Sequence, residues 1–163
     1  AVYGDLLYVK RWNPNQVIRY WHSRPFTGAL LHQGWMPPHP TLYLRREVFD
    51  RIGPFNQTYR IAADYDLILR LLSQPQGKVV YLPRIMVHMR LGGISNRSLR
   101  SILCKSWEDY RALRENRVGG LVALIRKNLS KLPQFFLKPV KGVVVGNPIP
   151  SALAGKADTT FSW

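Results

Sequence analysis

The stretch Arg60 to Leu72, RIAADYDLILRLL, sets two carboxylates, Asp64 and Asp66, at the mouth of an apolar run. Leu67, Ile68, Leu71 and Leu72 recur at helical spacing, so residues 64–72 read as a helix with one apolar face. The chain has 9 acidic residues against 24 basic ones, and two of the nine fall here. Helix capping accounts for Asp64: at the N-cap it takes an otherwise open amide and stabilises the helix by roughly 1 kcal/mol. Asp66, in the first turn, adds roughly a few tenths of a kcal/mol through the helix dipole. The other reading is chemical. Loops at the ends of rigid elements carry function, and two histidines flank the pair, His39 and His88, each about 25 residues away. One carboxylate with two histidines supplies a general base and a metal or phosphate contact. From the residues alone both readings stand.

Outward from this helix, the chain alternates strand and helix signals. Residues 1–9, AVYGDLLYV, are strand-like, and Asn13-Pro14-Asn15 is a turn signal. Residues 16–33 fit a short helix and loop. GWMPPHP, residues 34–40, is irregular because three prolines remove three backbone donors. Residues 41–44 read as a short strand and residues 46–52 as a short helix, stopped by Gly53 with Pro54 behind it. After the central helix come a turn at 74–77, a strand over 78–82 and a second over 85–90. Gly92-Gly93 breaks the chain. A long amphipathic helix is predicted over 96–116, with Leu99, Ile102, Leu103, Trp107, Tyr110 and Leu113 spaced three or four apart. Another is predicted over 121–132. This gives an α/β fold in three parts: residues 1–96, basic amphipathic helices over 97–141, and a poorly packed tail over 142–163.

At 163 residues the chain is long enough for one real core. A single cysteine, Cys104, excludes an internal disulfide framework and a cysteine metal site. The longest uncharged window, Pro25 to Leu44, holds Pro37, Pro38 and Pro40 with His32 and His39, so it is no membrane-spanning helix. The net charge of +15 favours anionic partners: phosphates, nucleic acid or an acidic membrane surface. Residues 97–141 carry 11 Lys or Arg against 3 acidic residues, beside Phe135-Phe136-Leu137. That composition predicts a segment lying on an anionic membrane surface, with ordinary solvated helices as the alternative.

GWMPPHPTLYLRREVFDRIGPFNQTYRIAADYDLILRLL, residues 34–72, resembles the acceptor-side half of bacterial family-2 glycosyltransferases, the colanic-acid and polysaccharide type in particular. The likeness lies in a His, a short strand, an Arg-Arg pair, a short helix, Gly-Pro-Phe-Asn, and then Ala-Asp-Tyr-Asp opening a helix. VYGD, residues 2–5, and MRLGGISN, residues 89–96, are similar to further family segments. The resemblance covers about residues 2–100. It implies an A-type glycosyltransferase (GT-A, Rossmann-like) fold lacking most of the nucleotide-binding half, and inverting transfer from a nucleotide-sugar to a glycan or lipid-linked acceptor. It gives Asp64 the role of base. Ala63 stands where the family has a Glu. His88 falls near a residue that meets the metal or diphosphate. With His39 and Asp66, Arg45, Arg46 and Arg90 complete the candidate substrate contacts, since arginine forks suit phosphate.

The resemblance also implies a divalent cation, Mn2+ or Mg2+. This sequence shows no Gly-rich phosphate loop and no metal motif before the acceptor side, so the cation is expected to be held mainly outside it and the chain to be inactive alone. The expected place is the cytoplasm, peripheral to the inner face of the membrane. The competing reading is a non-catalytic basic module binding membrane or nucleic acid. Scattered tryptophans and the lack of a nucleic-acid motif weigh against nucleic acid.

Overall fold

The computed structural model describes residues 1–74, 78–91 and 99–129. The expected turn at 74–77, the Gly92-Gly93 break, the segment MRLGGISN beyond Leu91, Phe135-Phe136-Leu137 and the tail lie wholly or partly outside these. The fold is mixed α/β with a small sheet. Strands β1 (Val2–Lys10), β2 (Asn13–Trp21) and β3 (Val80–Arg90) stand in the order β2-β1-β3. β1 pairs antiparallel with β2 and parallel with β3. Between β2 and β3 lie α1 (Gly28–His32), a 3-10 turn (His39–Thr41), α2 (Arg46–Ile52) and α3 (Ala63–Leu72). Helices α4 (Leu99–Glu115) and α5 (Leu121–Leu129) follow.

As the middle strand, β1 is covered on both faces, with Tyr3 through Leu7 all buried. This explains its nearly unbroken apolar sequence. Gly4 is required there by close approach. A β-carbon at that position would come within 2.5 Å of the Met86 sulfur and 2.7 Å of the Arg84 carbonyl oxygen. Gly4→Ala is therefore expected to destabilise by about 1–3 kcal/mol, as overpacking does. Chemical denaturation measures this, and an unchanged midpoint would show that β3 yields freely.

The sequence reading missed β2, placing a turn at Asn13-Pro14-Asn15. The turn is at Arg11-Trp12, and Asn13 and Pro14 already belong to the strand. β2 is an edge strand whose first residues are exposed, and an edge is where a strand tolerates proline. The expected strands over 78–82 and 85–90 are one strand. Tyr3 faces Tyr81 and Asp5 faces Ile85, so the register slips around Pro83 and the strand carries on. The expected strand over 41–44 is the 3-10 turn followed by a single bridge, Tyr43 to Val2. α2 ends as read, at Gly53 with φ of 83°.

α3 is the hub. Tyr65, Ile68, Leu69 and Leu72 face a core shared with Leu31, Ala112, Leu113, Val118 and Ala123. Leu67 and Leu71 face a second, smaller cluster with Ile52. The helix thus packs against α4 with one face and α2 with another, which fixes where its first turn points.

Candidate active site

Helix α3 starts one residue earlier than its sequence indicated, at Ala63, and its N-cap residue is Ala62, with no side-chain cap. Asp64 is therefore not the cap. It is the second helical residue, its Oδ1 accepting the Tyr65 amide at 2.8 Å. Its Oδ2 lies 3.1 Å from Nδ1 of His39, and the aspartate is partly open to solvent.

What tethers the loop before α3 is Glu108 on α4. Its carboxylate accepts the backbone amides of Arg60 at 3.0 Å, Ile61 at 2.8 Å and Ala62 at 2.9 Å. Burial pushes the Glu108 carboxyl up, but the three amides and the Cys104 thiol together pull it down further, so it stays below the usual carboxylate range.

His39 is delivered by the 3-10 turn, which is pinned to the central strand. The buried Thr41 hydroxyl lies 2.8 Å from the Pro38 carbonyl and 3.0 Å from the Gly4 carbonyl, and accepts the Gly4 amide at 3.3 Å. The prolines that make this stretch irregular thus hold a histidine at a fixed place beside the first turn of α3.

The Asp64–His39 pair stands at a cleft of about 400 Å³. Leu42, Leu44, Phe49, Phe55 and Leu67 supply apolar walls, and Arg46 is its third polar residue. An open cleft with apolar walls and a few convergent polar groups is the usual form of a small-molecule site. Here it offers a carboxylate oriented by one amide and one imidazole, with a guanidinium close by. Arg46 is exposed and 3.5 Å from Asp50, so it is available to an anionic ligand.

Asp66 is not in the cleft. It is buried, with Oδ2 held by Arg70 at 3.0 Å and Oδ1 accepting from the Asn116 amide at 2.9 Å. Two helical residues apart is a turn of roughly 200°, which puts the two aspartates on opposite sides of α3. Asp66 does structural work: it fixes Arg70, whose guanidinium also donates to the carbonyls of Ile52, Gly53 at 3.2 Å and Pro54 at 2.8 Å. The Gly-Pro-Phe-Asn segment is thereby clamped, and its Phe55 becomes a cleft wall.

The other candidates are dispersed. Arg45 precedes α2 and lines a separate groove of about 710 Å³ with Arg51 and Lys78. Arg90 is exposed at the end of β3, opposite Val9. His88 is exposed on β3 opposite Leu7. Among the described residues no three His, Cys, Asp or Glu side chains gather as a metal-binding group.

The sequence reading gave Asp5 no role. It is fully buried and accepts the hydroxyls of Tyr20 and Tyr81 (the latter at 2.8 Å) and the Ser23 amide at 2.7 Å. Nδ1 of the half-exposed His22 lies 3.1 Å away. Burial first, and then the hydrogen bonds to Asp5, push both tyrosine hydroxyls far above their ordinary value. The available signal was a lone carboxylate inside an apolar strand.

No protein-family profile matches the chain, and no solved structure matches it. Curated proteins do. The chain is 36% identical over 59 residues to the PGL/p-HBAD biosynthesis glycosyltransferase of Mycobacterium bovis. The match to the protein of the same description from Mycobacterium tuberculosis is equal. The matched segment is 36% of this chain and 23% of each relative, so the chain spans about a quarter of their length. What this chain resembles, over that segment, is a PGL/p-HBAD biosynthesis glycosyltransferase.

Proposed function

We propose that this chain supplies the acceptor side of an inverting glycosyltransferase with Asp64 as its base. The observation that carries the reading is the Asp64–His39 pair at the mouth of the apolar cleft. In this mechanism an acceptor hydroxyl gives its proton to Asp64 Oδ2 as its oxygen attacks the anomeric carbon of a nucleotide-sugar. The bond from that carbon to the diphosphate breaks, and the nucleoside diphosphate leaves with the electron pair. Inversion follows from the single in-line displacement. The Tyr65 amide and His39 hold the carboxylate in place, and the apolar walls give the acceptor a surface to lie against. Arg46 is the cleft residue suited to a phosphate of the donor or of a lipid-linked acceptor.

The finer parts of the proposal rest on the family resemblance and on the glycosyltransferase likeness. They are a GT-A fold, an acceptor that is lipid-linked or a polysaccharide, a divalent cation held mainly outside the residues described, and a place at the inner face of the membrane. The test is transfer from a panel of nucleotide-sugars by a polypeptide carrying this chain together with a nucleotide-binding half. His39→Ala is expected to lower kcat about tenfold with little change in KM for the donor, because it removes orientation of the base and no donor contact. Transfer that is indifferent to both His39 and Asp64 would reject the cleft as the reaction site.

A further inference from the structure

We propose that the outer rows of α4 and α5, with the basic hollow beside α5, dock this protein on an anionic phospholipid surface, a headgroup phosphate lying between Arg24 and Arg126. This deepens the membrane placement in the proposed function; its residues are separate from the Asp64 cleft, so failure of vesicle binding and failure of sugar transfer are distinguishable.

The first observation is the pattern of exposure. On α5, Val122, Ile125 and Leu129 are 64%, 47% and 55% exposed. With Arg126 they recur three and four apart, so they form one stripe. Ala123 and Lys127 are buried on the other side of the helix. On α4, Leu103 and Trp107 stand four apart with 72% and 66% exposure, and Tyr110 meets the Trp107 ring at 5.9 Å. The Arg114 side chain, further along this row, reaches the start of α5 at Gly120. Both rows join apolar side chains to arginine, and one carries a tryptophan, a side chain suited to the lipid–water boundary.

The second observation is where the negative charge goes. Each of the three carboxylates on α4 is engaged by other groups. Glu108 holds the loop amides. Asp109 lies 2.9 Å from Lys105 and 2.8 Å from Lys127, and Glu115 takes Arg111 and the Tyr59 hydroxyl. Among the described residues of α4, α5 and their connection, Arg114, Arg117 and Arg126 are exposed with no carboxylate in ion-pair range. The outer face is therefore basic and apolar together.

The third observation is the hollow itself, about 380 Å³, lined by Arg24, Gln33, Trp35 and Arg126. Among the described residues none of its lining is acidic. Two guanidinium groups, an amide and an indole suit a phosphate oxyanion. Arg126 belongs both to this hollow and to the apolar stripe, so a phosphate there lies beside side chains that enter the acyl region. A nucleic-acid strand is the rival occupant of any basic surface. The rings here, Trp107 and Tyr110 on α4 and Trp35 in the hollow, lie apart from the exposed row on α5, which is aliphatic and suited to hydrocarbon rather than to base stacking, and this favours lipid.

The experiment is flotation of the full chain with phosphatidylcholine vesicles, with and without phosphatidylglycerol, over a range of salt. Binding to the anionic vesicles that weakens as salt rises is expected. Arg24→Glu with Arg126→Glu should lower partitioning at least about tenfold. Ile125→Ser with Leu129→Ser should lower it further, and at high salt as well. Thermal melting of each variant checks that the fold is kept, since these are surface positions. Equal binding to neutral vesicles, or anionic binding indifferent to both pairs of substitutions, would overturn the proposal. So would single-stranded DNA binding at physiological salt with no vesicle binding.

Discussion

Asp64→Asn is expected to lower turnover about 100-fold or more in a transferase containing this chain, while leaving the fold intact. The substitution keeps size, shape and an oxygen for the Tyr65 amide, which lies 2.8 Å away. It removes the only thing the mechanism asks of the side chain, the capacity to take a proton. Asp64 is not the N-cap residue, but in the first turn it still takes the Tyr65 amide at 2.8 Å, so a helix-starting role competes with the catalytic one. Turnover and thermal melting measured on the same preparation separate the two roles. A stable variant with near-normal turnover would disprove Asp64 as base. Asp66→Asn gives the opposite signature: it weakens the contact to Arg70, so the melting temperature falls, and any lost activity follows from the loosened Phe55 wall.

The largest loss of stability is expected from Asp109→Ala, about 3–5 kcal/mol. Asp109 and Lys127 are each 2% exposed and 2.8 Å apart. Lys127 also lies 3.0 Å over the Tyr65 ring. Deleting the carboxylate breaks from one side an ion pair that is 2.8 Å long and buried, and this costs more than the intact pair contributes. For a domain of this size such a loss lowers Tm by roughly 10 °C or more. Asp109→Leu with Lys127→Met should recover much of it, because burying neither charge removes the desolvation penalty. A decrease under about 1 kcal/mol for Asp109→Ala would mean that water reaches the pair.

The same pair sets an acid limit. Burial raises the Asp109 carboxyl, and Lys127 and Lys105 lower it by more, so the folded value lies below the ordinary one. A depressed carboxylate contributes stability that is present above its unfolded pKa and is lost as pH falls through the folded value. Melting temperature should therefore decline on the acid side in the native protein, and decline less in the Asp109→Leu, Lys127→Met variant.

Much of the scaffold was readable because its signals are local. α2, α3 and the described parts of α4 and α5 follow from apolar spacing and from Gly53 and Gly119-Gly120 as stops. β1 followed from its apolar run. β2 was not readable because its identity is decided by pairing: Asn-Pro-Asn is a turn by propensity, and only the edge of a sheet lets it be extended. β3 looked like two strands because Pro83 breaks a ladder, and the register slip that absorbs it depends on β1. The site was legible in part for the same reason. Asp64 and His39 could be named as candidates, since their residue types and surroundings point to chemistry. Their meeting at 3.1 Å depends on Thr41 touching Gly4, a contact without any local signature. The burial of Asp66 away from the cleft was not readable because its partners, Arg70 and Asn116, come from one turn and fifty residues away. Glu108 was invisible for a related reason: a glutamate in a helix is ordinary until the loop it holds is known.

The two anchors of the cleft have a consequence for how it can discriminate. One wall is tied through Arg70 to three successive carbonyls, and the opposite lip is tied through Thr41 to the middle of the sheet. Widening the gap means giving up several hydrogen bonds at once, so the cleft resembles a fixed gauge more than a jaw. Such a gauge needs little reorganisation to receive a matching ligand, so binding energy goes into alignment. It also rejects by shape. A ligand too bulky by one substituent meets walls that resist retreat, and selectivity then comes from exclusion as much as from attraction.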